Sequence, residues 1–136
     1  MNFGMNFQKN FIKKALSQFK FDNALNRMRQ SSIISKTLLQ KNTRLSEQYQ
    51  CNLFLKREDL QSVRSFKIRG AYNKILNCME NSLNRSKNPT IVTVSAGNHA
   101  QGVSLTCNSL GLHHHIFLPE NTPLQKINRI KYFGKD

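Results

Sequence analysis

Acidic residues are scarce in this sequence. Seven Asp and Glu stand against 21 Lys and Arg, giving a formal net charge of +14 over 136 residues. None of the seven precedes Asp22. Such a balance often marks a nucleic-acid binder. Here the basic residues are spread along the chain without a single basic block, and no nucleic-acid module is recognisable, so nucleic acid is not the expected partner. The abundance of Asn, Lys, Ile and Phe is the mixture that a biased coding sequence produces without any selected partner. Cysteine is scarce as well. Cys51, Cys78 and Cys107 are widely spaced, form no CxxC pair and are odd in number, which speaks against a disulfide framework. Reduced, structural thiols in a cytoplasmic compartment are expected. Long apolar runs are missing too. No stretch approaches the ~20 residues of a membrane helix, and there is no secretory h-region.

What remains suits a soluble globular domain: 38% hydrophobic residues, 9% of all residues aromatic. The length allows at most one ordinary domain. Residues 1–22 read as a basic amphipathic extension. Phe3, Phe7, Phe11, Ala15 and Phe19 recur every fourth residue, with Lys9, Lys13, Lys14 and Lys20 between them. That pattern fits a transit peptide of a mitochondrion or plastid, a helix on a membrane surface, or a helix packed on the domain. The last is preferred, because transit peptides favour Arg and Ser where this stretch uses Lys, Asn and Phe.

Residues 23–136 read as alternating elements. Asn23–Gln30 has the look of a short helix, Ser31–Leu39 of an extended link, Arg44–Tyr49 of a helical turn and Asn52–Arg57 of a strand. Ser65-Phe66-Lys67-Ile68-Arg69-Gly70 then opens a segment in which Ile68, Ala71, Tyr72, Ile75, Leu76 and Met79 fall on one helix face. Ser65 stands at the N-cap, and the helix runs to about Leu83. Asn84–Pro89 is a loop. Thr90–Val94 is a β-branched strand, and Ser95–His99 is a turn at its carboxyl end. Ala100–Leu110 forms the next helix, stopped by Gly111. His113–Leu118 is a second strand. Thr122 and Pro123 serve as N-cap and first residue of a last helix, ended by Gly134. The order strand, helix, strand, helix predicts an α/β fold with a parallel sheet, flanking helices and right-handed crossovers. Binding loops in such sheets lie at the carboxyl ends of strands, which is where Ser95–His99 falls.

Lys67 is in the first turn of its helix, where partial positive charge disfavours a second cation. Arg64 and Arg69 add to that field. All three push the lysine toward the neutral amine that attacks carbonyls. On position alone, a solvated surface lysine is the simpler reading. Glu58 and Asp59 are adjacent, so on a strand they point to opposite sides, which suits structural roles rather than paired acid–base work. His113-His114-His115 invites a metal reading, but only His113 and His115 share a strand face and no further ligand follows at metal spacing. No metal is expected.

Two segments change the reading of Lys67. Lys56-Arg57-Glu58-Asp59-Leu60-Gln61 leading to Ser65-Phe66-Lys67-Ile68-Arg69-Gly70, and Ser95-Ala96-Gly97-Asn98-His99-Ala100-Gln101-Gly102 after a strand, resemble the tryptophan-synthase-β-like, or fold-type II, pyridoxal-phosphate enzymes. Within these they resemble the threonine dehydratases (threonine ammonia-lyases). The resemblance runs from about Asn23 to Asp136. It implies a lyase that converts L-threonine, and L-serine, to 2-oxobutanoate or pyruvate and ammonia, the first step of isoleucine biosynthesis. It implies that Lys67 carries pyridoxal 5'-phosphate as a Schiff base and, once freed, removes the substrate α-proton. It implies that Phe66 flanks the cofactor ring and Asn98 binds its 3'-hydroxyl. Ser95, Gly97, Asn98 and His99 then cradle the substrate carboxylate. Without the resemblance, Ser95 reads as an N-cap, Asn98 as a turn residue and His99 as a surface or cap histidine. Thr37-Leu38-Leu39 stands where the family usually has Thr-Pro-Leu, which loosens a turn and touches no chemistry.

Ala96 occupies a position where serine-racemising relatives carry a proton-handling serine, so elimination is favoured over racemisation. The family's phosphate-binding glycine run, its Ser or Cys facing the pyridine nitrogen, and its regulatory domain are not within residues 1–136. The expectation is therefore an amino-terminal portion of a homo-oligomeric enzyme, with weak cofactor binding, no turnover and poor solubility by itself. The alternatives are a non-catalytic remnant and a serine dehydratase or racemase relative.

Overall fold

A computed structural model of the chain describes the backbone of residues 3–81 and 89–135, and the side chains of 16–81 and 89–135. Residues 1–31 form one compact unit and residues 32–136 another. The first is a single helix, α1 (Phe3–Gln30). The short helix expected over Asn23–Gln30 is its last part. Leu16, Phe19, Phe21 and Leu25 are exposed along it. The side chains of Phe3, Phe7, Phe11, Lys9, Lys13 and Lys14 lie outside the described residues.

The second unit opens with a small antiparallel pair, β1 (Leu39–Lys41) and β2 (Phe54–Lys56), with Leu39 opposite Lys56 and Lys41 opposite Phe54. Helix α2 (Thr43–Gln48) connects them. Asn42 caps α2, its Oδ1 accepting from Leu45 N at 2.9 Å. Ser46 closes the return, donating to Asn42 O and accepting from Leu53 N. The extended link read over Ser31–Leu39 thus ends in a strand, and β2 is paired antiparallel and apart from the parallel sheet.

A 3₁₀ turn (Glu58–Leu60) leads into α3 (Lys67–Asn81). The expected helix end near Leu83 and most of the loop Asn84–Pro89 fall in 82–88, outside the described residues. Then follow β3 (Ile91–Val94), α4 (Asn98–Leu110), β4 (His114–Phe117) and α5 (Leu124–Gly134). Strands β3 and β4 are parallel, with Ile91 opposite His114 and Val94 opposite Phe117. The βαβ unit is as the alternation of elements predicts.

Helix α4 lies between α3 and α5 and is buried nearly all round, at Ala100, Gln101, Gly102, Val103, Ser104, Thr106 and Cys107. One cluster joins Ala71 and Ile75 of α3 to Val103 and Cys107 of α4 and to Leu112, with Ile91 of β3 packed against it. A second joins Val63, Ile68 and Phe133, with Ile33, Ile34 and Leu105 at its margin. Full burial of one such aliphatic side chain contributes about 1.5–3 kcal/mol. Burial raises the Cys107 thiol to about 11. Period-2 alternation sends Val92, Val94 and Phe117 to the opposite face of the sheet, where they are exposed.

Buried hydroxyls fix the helices to one another. Ser104 Oγ donates to Ile130 O of α5 at 2.8 Å. Its single proton is committed there, so it accepts from His114 Nε2 at 3.2 Å, which makes Nε2 the protonated ring nitrogen. His114 is therefore held by the core, and His113 and His115 are exposed.

Gly111 ends α4 in the left-handed region, at φ 65° and ψ 32°. Leu112 N then reaches Cys107 O at 2.9 Å. At the start of α5 the expected cap is absent. Thr122 Oγ1 donates to Pro119 O at 2.6 Å, and Pro123 is the N-cap with no side-chain bond. Gly134 is the last helical residue, and Lys135 takes the left-handed turn. An alanine at Gly111 must adopt the same φ, which costs roughly 1–2 kcal/mol. Gly111→Ala should therefore lower the urea midpoint of the chain with an unchanged slope.

Candidate active site

The lysine motif is shaped by the turn before it. Arg64 sits at φ 54°, a left-handed conformation unusual for a non-glycine residue. It turns the chain from Gln61 into α3, its N–H donating to Gln61 O at 2.7 Å. Ser65 is buried, and its Oγ accepts from Lys67 N at 3.2 Å, a bond of the N-cap kind. Lys67 thus falls in the first turn of α3, as its spacing predicts. Its side chain is exposed, with Nζ 5.2 Å from the centre of the Phe66 ring. Among the described residues no hydrogen bond or ion pair engages that amine. Lys56 differs, since its Nζ donates to Thr37 O at 2.6 Å.

Arg69 does not add positive field beside Lys67 in the way its place in the sequence suggests. Its guanidinium grips the Glu58 carboxylate with two bonds, Nε to Oε2 and Nη2 to Oε1, each 2.8 Å. The forked geometry is the strong form of this pair. Glu58 also accepts from Thr37 Oγ1 and Gln61 Nε2. Gln61 in turn exchanges bonds with Ser35 N and O, at 3.0 and 2.9 Å. The network binds residues 35–37, the 3₁₀ turn and the first turn of α3 into one piece. Glu58 and Asp59 are structural, as the sequence suggests, but through a 3₁₀ turn rather than a strand. Asp59 pairs separately with Arg57 at 2.8 Å.

The second motif begins where β3 ends. Ser95 N continues the sheet by donating to Phe117 O at 3.1 Å, and Ser95 Oγ accepts from Gly97 N at 3.3 Å. Gly97 is the N-cap of α4, and no side chain caps the helix. Its first N–H groups and their partial positive charge are available to an anion. No atom lies within 4 Å of where a Gly97 Cβ would stand. Asn98 and His99 are exposed, while Ser95 and Ala96 are half-buried.

Gly102 brings the two motifs together. A Cβ added there would stand 3.3 Å from Ile68 Cα and N and 3.4 Å from Lys67 C. The backbone of α4 therefore lies directly on the backbone of the lysine residue. Gly102 is one helical turn beyond Asn98, about 6 Å along the axis. The first turn of α3, with Lys67, is therefore packed against α4 about one helical turn from the start of that helix, where Asn98 and His99 are exposed. A free amine, an aromatic face and an uncapped helix start are the groups that an aldehyde bearing an aromatic ring and an anion requires.

The family model described as pyridoxal-phosphate dependent enzyme matches residues 31–136. The chain belongs to that family. Among curated relatives of the chain, the biosynthetic L-threonine dehydratase of Bacillus subtilis is 52% identical over 103 residues, covering 76% of this chain and 24% of that protein. The corresponding Staphylococcus saprophyticus protein is 47% identical over 125 residues, covering 92% and 28%. Among solved structures, the processed form of threonine deaminase isoform 2 from Solanum lycopersicum aligns with TM-score 0.69 and 35% identity, over 87% of this chain and 32% of that one. Maize serine racemase aligns with TM-score 0.74 and 30% identity, over 85% and 33%. The chain spans about a quarter of the length of the curated relatives it matches. The fold is the fold-type II arrangement, an α/β unit with parallel strands and flanking helices.

Sequence reasoning missed the parts that hold the site. Gly102 was present only as the end of a motif, and Glu58 and Arg69 are 11 residues apart with no periodic relation. Glu58 titrates at about 2 rather than 4.5, chiefly through its hydrogen bonds to Arg69. A lowered folded value means stability present above 4.5 and lost as pH falls toward 2. Screened by solvent, that contribution is about 1–2 kcal/mol. Glu58→Gln should be less stable than the native chain at neutral pH by roughly that amount. In urea titrations the difference should shrink steadily below pH 4.5.

Proposed function

We propose that residues 31–136 supply the catalytic lysine and the substrate-carboxylate loop of a pyridoxal-phosphate lyase acting on L-threonine and, less specifically, L-serine. The observation that carries this reading is the close packing of the Lys67–Ile68 backbone on Gly102, one helical turn from the start of α4, which no side chain caps. The names of the relatives, at about half identity, support threonine as the substrate. The products are 2-oxobutanoate from threonine, or pyruvate from serine, with ammonia. That reaction is the first step of isoleucine biosynthesis. A cytoplasmic, homo-oligomeric enzyme is the setting this reading implies.

When bound, pyridoxal 5'-phosphate supplies an electron sink for the charge left on the substrate α-carbon. Lys67 would hold the cofactor and, once freed from it, would take the α-proton on its Nζ. Phe66, whose ring is 59% exposed, offers an apolar surface for the cofactor ring. The Asn98 side chain binds the 3'-hydroxyl. Ser95, Gly97, Asn98 and His99 receive the substrate carboxylate, aided by the positive end of α4. That orientation would present the α-hydrogen to Lys67, and the proton taken up on Lys67 Nζ would be the one available to the β-hydroxyl for its departure as water. Ala96 carries no group able to move a proton, so none is delivered to the second face of the substrate.

A hybrid in which residues 31–136 replace the matching segment of the Bacillus subtilis enzyme tests the reading. It should release 2-oxobutanoate from L-threonine, and Lys67→Ala should abolish release. A hybrid that folds and binds cofactor yet turns over equally well with Lys67→Ala would refute the assignment. With L-serine, chiral chromatography should detect pyruvate and no D-serine. D-serine in amounts comparable to pyruvate would remove Ala96 from the argument.

A further inference from the structure

The geometry points to Gly102 as a positioning residue. By lacking a side chain, it sets where Lys67 stands relative to the amino terminus of α4. This inference rests on the function proposed above and goes beyond it, because Gly102 itself touches neither substrate nor cofactor.

Helix backbones rarely approach one another so closely. A Cβ at Gly102 would lie 3.3 Å from two backbone atoms of Ile68 and 3.4 Å from the carbonyl carbon of Lys67. Backbone atoms cannot rotate aside as a side-chain end can, so relief requires one helix to move by a few tenths of an ångström. Helix α3 has little freedom to do so. Ile68 is 1% exposed in the core, and the next residue, Arg69, is anchored to Glu58. Helix α4 is equally enclosed, with Ala100, Val103 and Cys107 at 3% exposure or less. The first turn of α3 is therefore seated between two supports, the α4 backbone at Gly102 and the Glu58–Arg69 pair. Productive sites tolerate displacements of only about 0.5 Å, and a misplacement of about 1 Å can cost on the order of a hundredfold. A glycine in the first turns of a helix carries a propensity penalty relative to alanine. Close backbone approach gives a physical reason for it here.

The experiment uses the full chain. Pyridoxal phosphate is added, the covalent adduct is trapped with borohydride, and the adduct at Lys67 is measured by peptide mass spectrometry relative to that at exposed Lys74 and Lys126. The ratio within one sample is insensitive to protein concentration. The native chain should favour Lys67, because its amine lies 5.2 Å from the centre of the Phe66 ring, an apolar surface for the pyridine ring. Gly102→Ala should lower the ratio by roughly threefold to tenfold. Val103→Ala, which loosens the same helix pair without touching the Lys67 backbone, should leave the ratio unchanged when thermal unfolding shows both variants folded. An unchanged ratio in folded Gly102→Ala overturns the inference and leaves the proposed function intact. A native ratio near one overturns the inference, because Lys67 is then no better placed than a surface lysine, while the proposed function stands or falls on the turnover of the hybrid. Should Gly102→Ala fail to fold, Arg69→Lys loosens the other support of the same turn. It keeps the charge and loses the fork, so its ratio should also fall, and an unaltered ratio there overturns the positional claim.

Discussion

Two helix backbones meet at Gly102, and the second compact unit is arranged around that contact. Helices that approach so closely must offer small residues at the crossing, and Ala71, Ala100 and Gly102 are all buried. Larger side chains then fill the space on either side, Ile75, Val103 and Leu112 in one cluster and Val63, Ile68 and Phe133 in the other. The parallel strands lie beyond α4, where Ile91 closes the first cluster. Both sequence motifs sit at the ends of elements the core already fixes. Lys67 is in the first turn of α3, and Ser95–Gly97 form the turn from β3 into α4.

A second constraint is electrostatic. With 7 acids against 21 bases, carboxylates are few, and Glu58 is committed at the turn that introduces α3. Its position removes one guanidinium from the surroundings of Lys67 and uses it as structure. The Lys67 amine itself lies 5.2 Å from the centre of the Phe66 ring. Lys67 is thus exposed on a support fixed by the Gly102 contact and the Glu58–Arg69 pair.

The periodic parts of the fold were legible. The face made by Ile68, Ala71, Tyr72 and Ile75 is buried as its spacing predicts. The βαβ unit and the Gly111 stop also follow from short-range pattern and from glycine's access to positive φ. Segments without period were not legible. The pair β1 and β2 has three residues per strand, exposed throughout, so alternation had nothing to reveal. Thr122 and Pro123 carry a sound capping signal, yet the hydroxyl finds the Pro119 carbonyl first. For the site, the motifs identified the chemically active residues, and their supports came only from three dimensions. A glycine inside a helix looks merely unfavourable until the helix lying on it is known.

Cys107 carries a consequence of another kind. It is fully buried at the α3–α4 contact, and its thiol is raised to about 11, whereas Cys51 and Cys78 are exposed. A thiol reagent reaches Cys107 only when the helices part, and its rate of modification then counts those openings. The two surface thiols supply an internal reference for the intrinsic reaction. The protein therefore carries its own clock for the breathing of the interface on which the lysine is mounted, with no probe added.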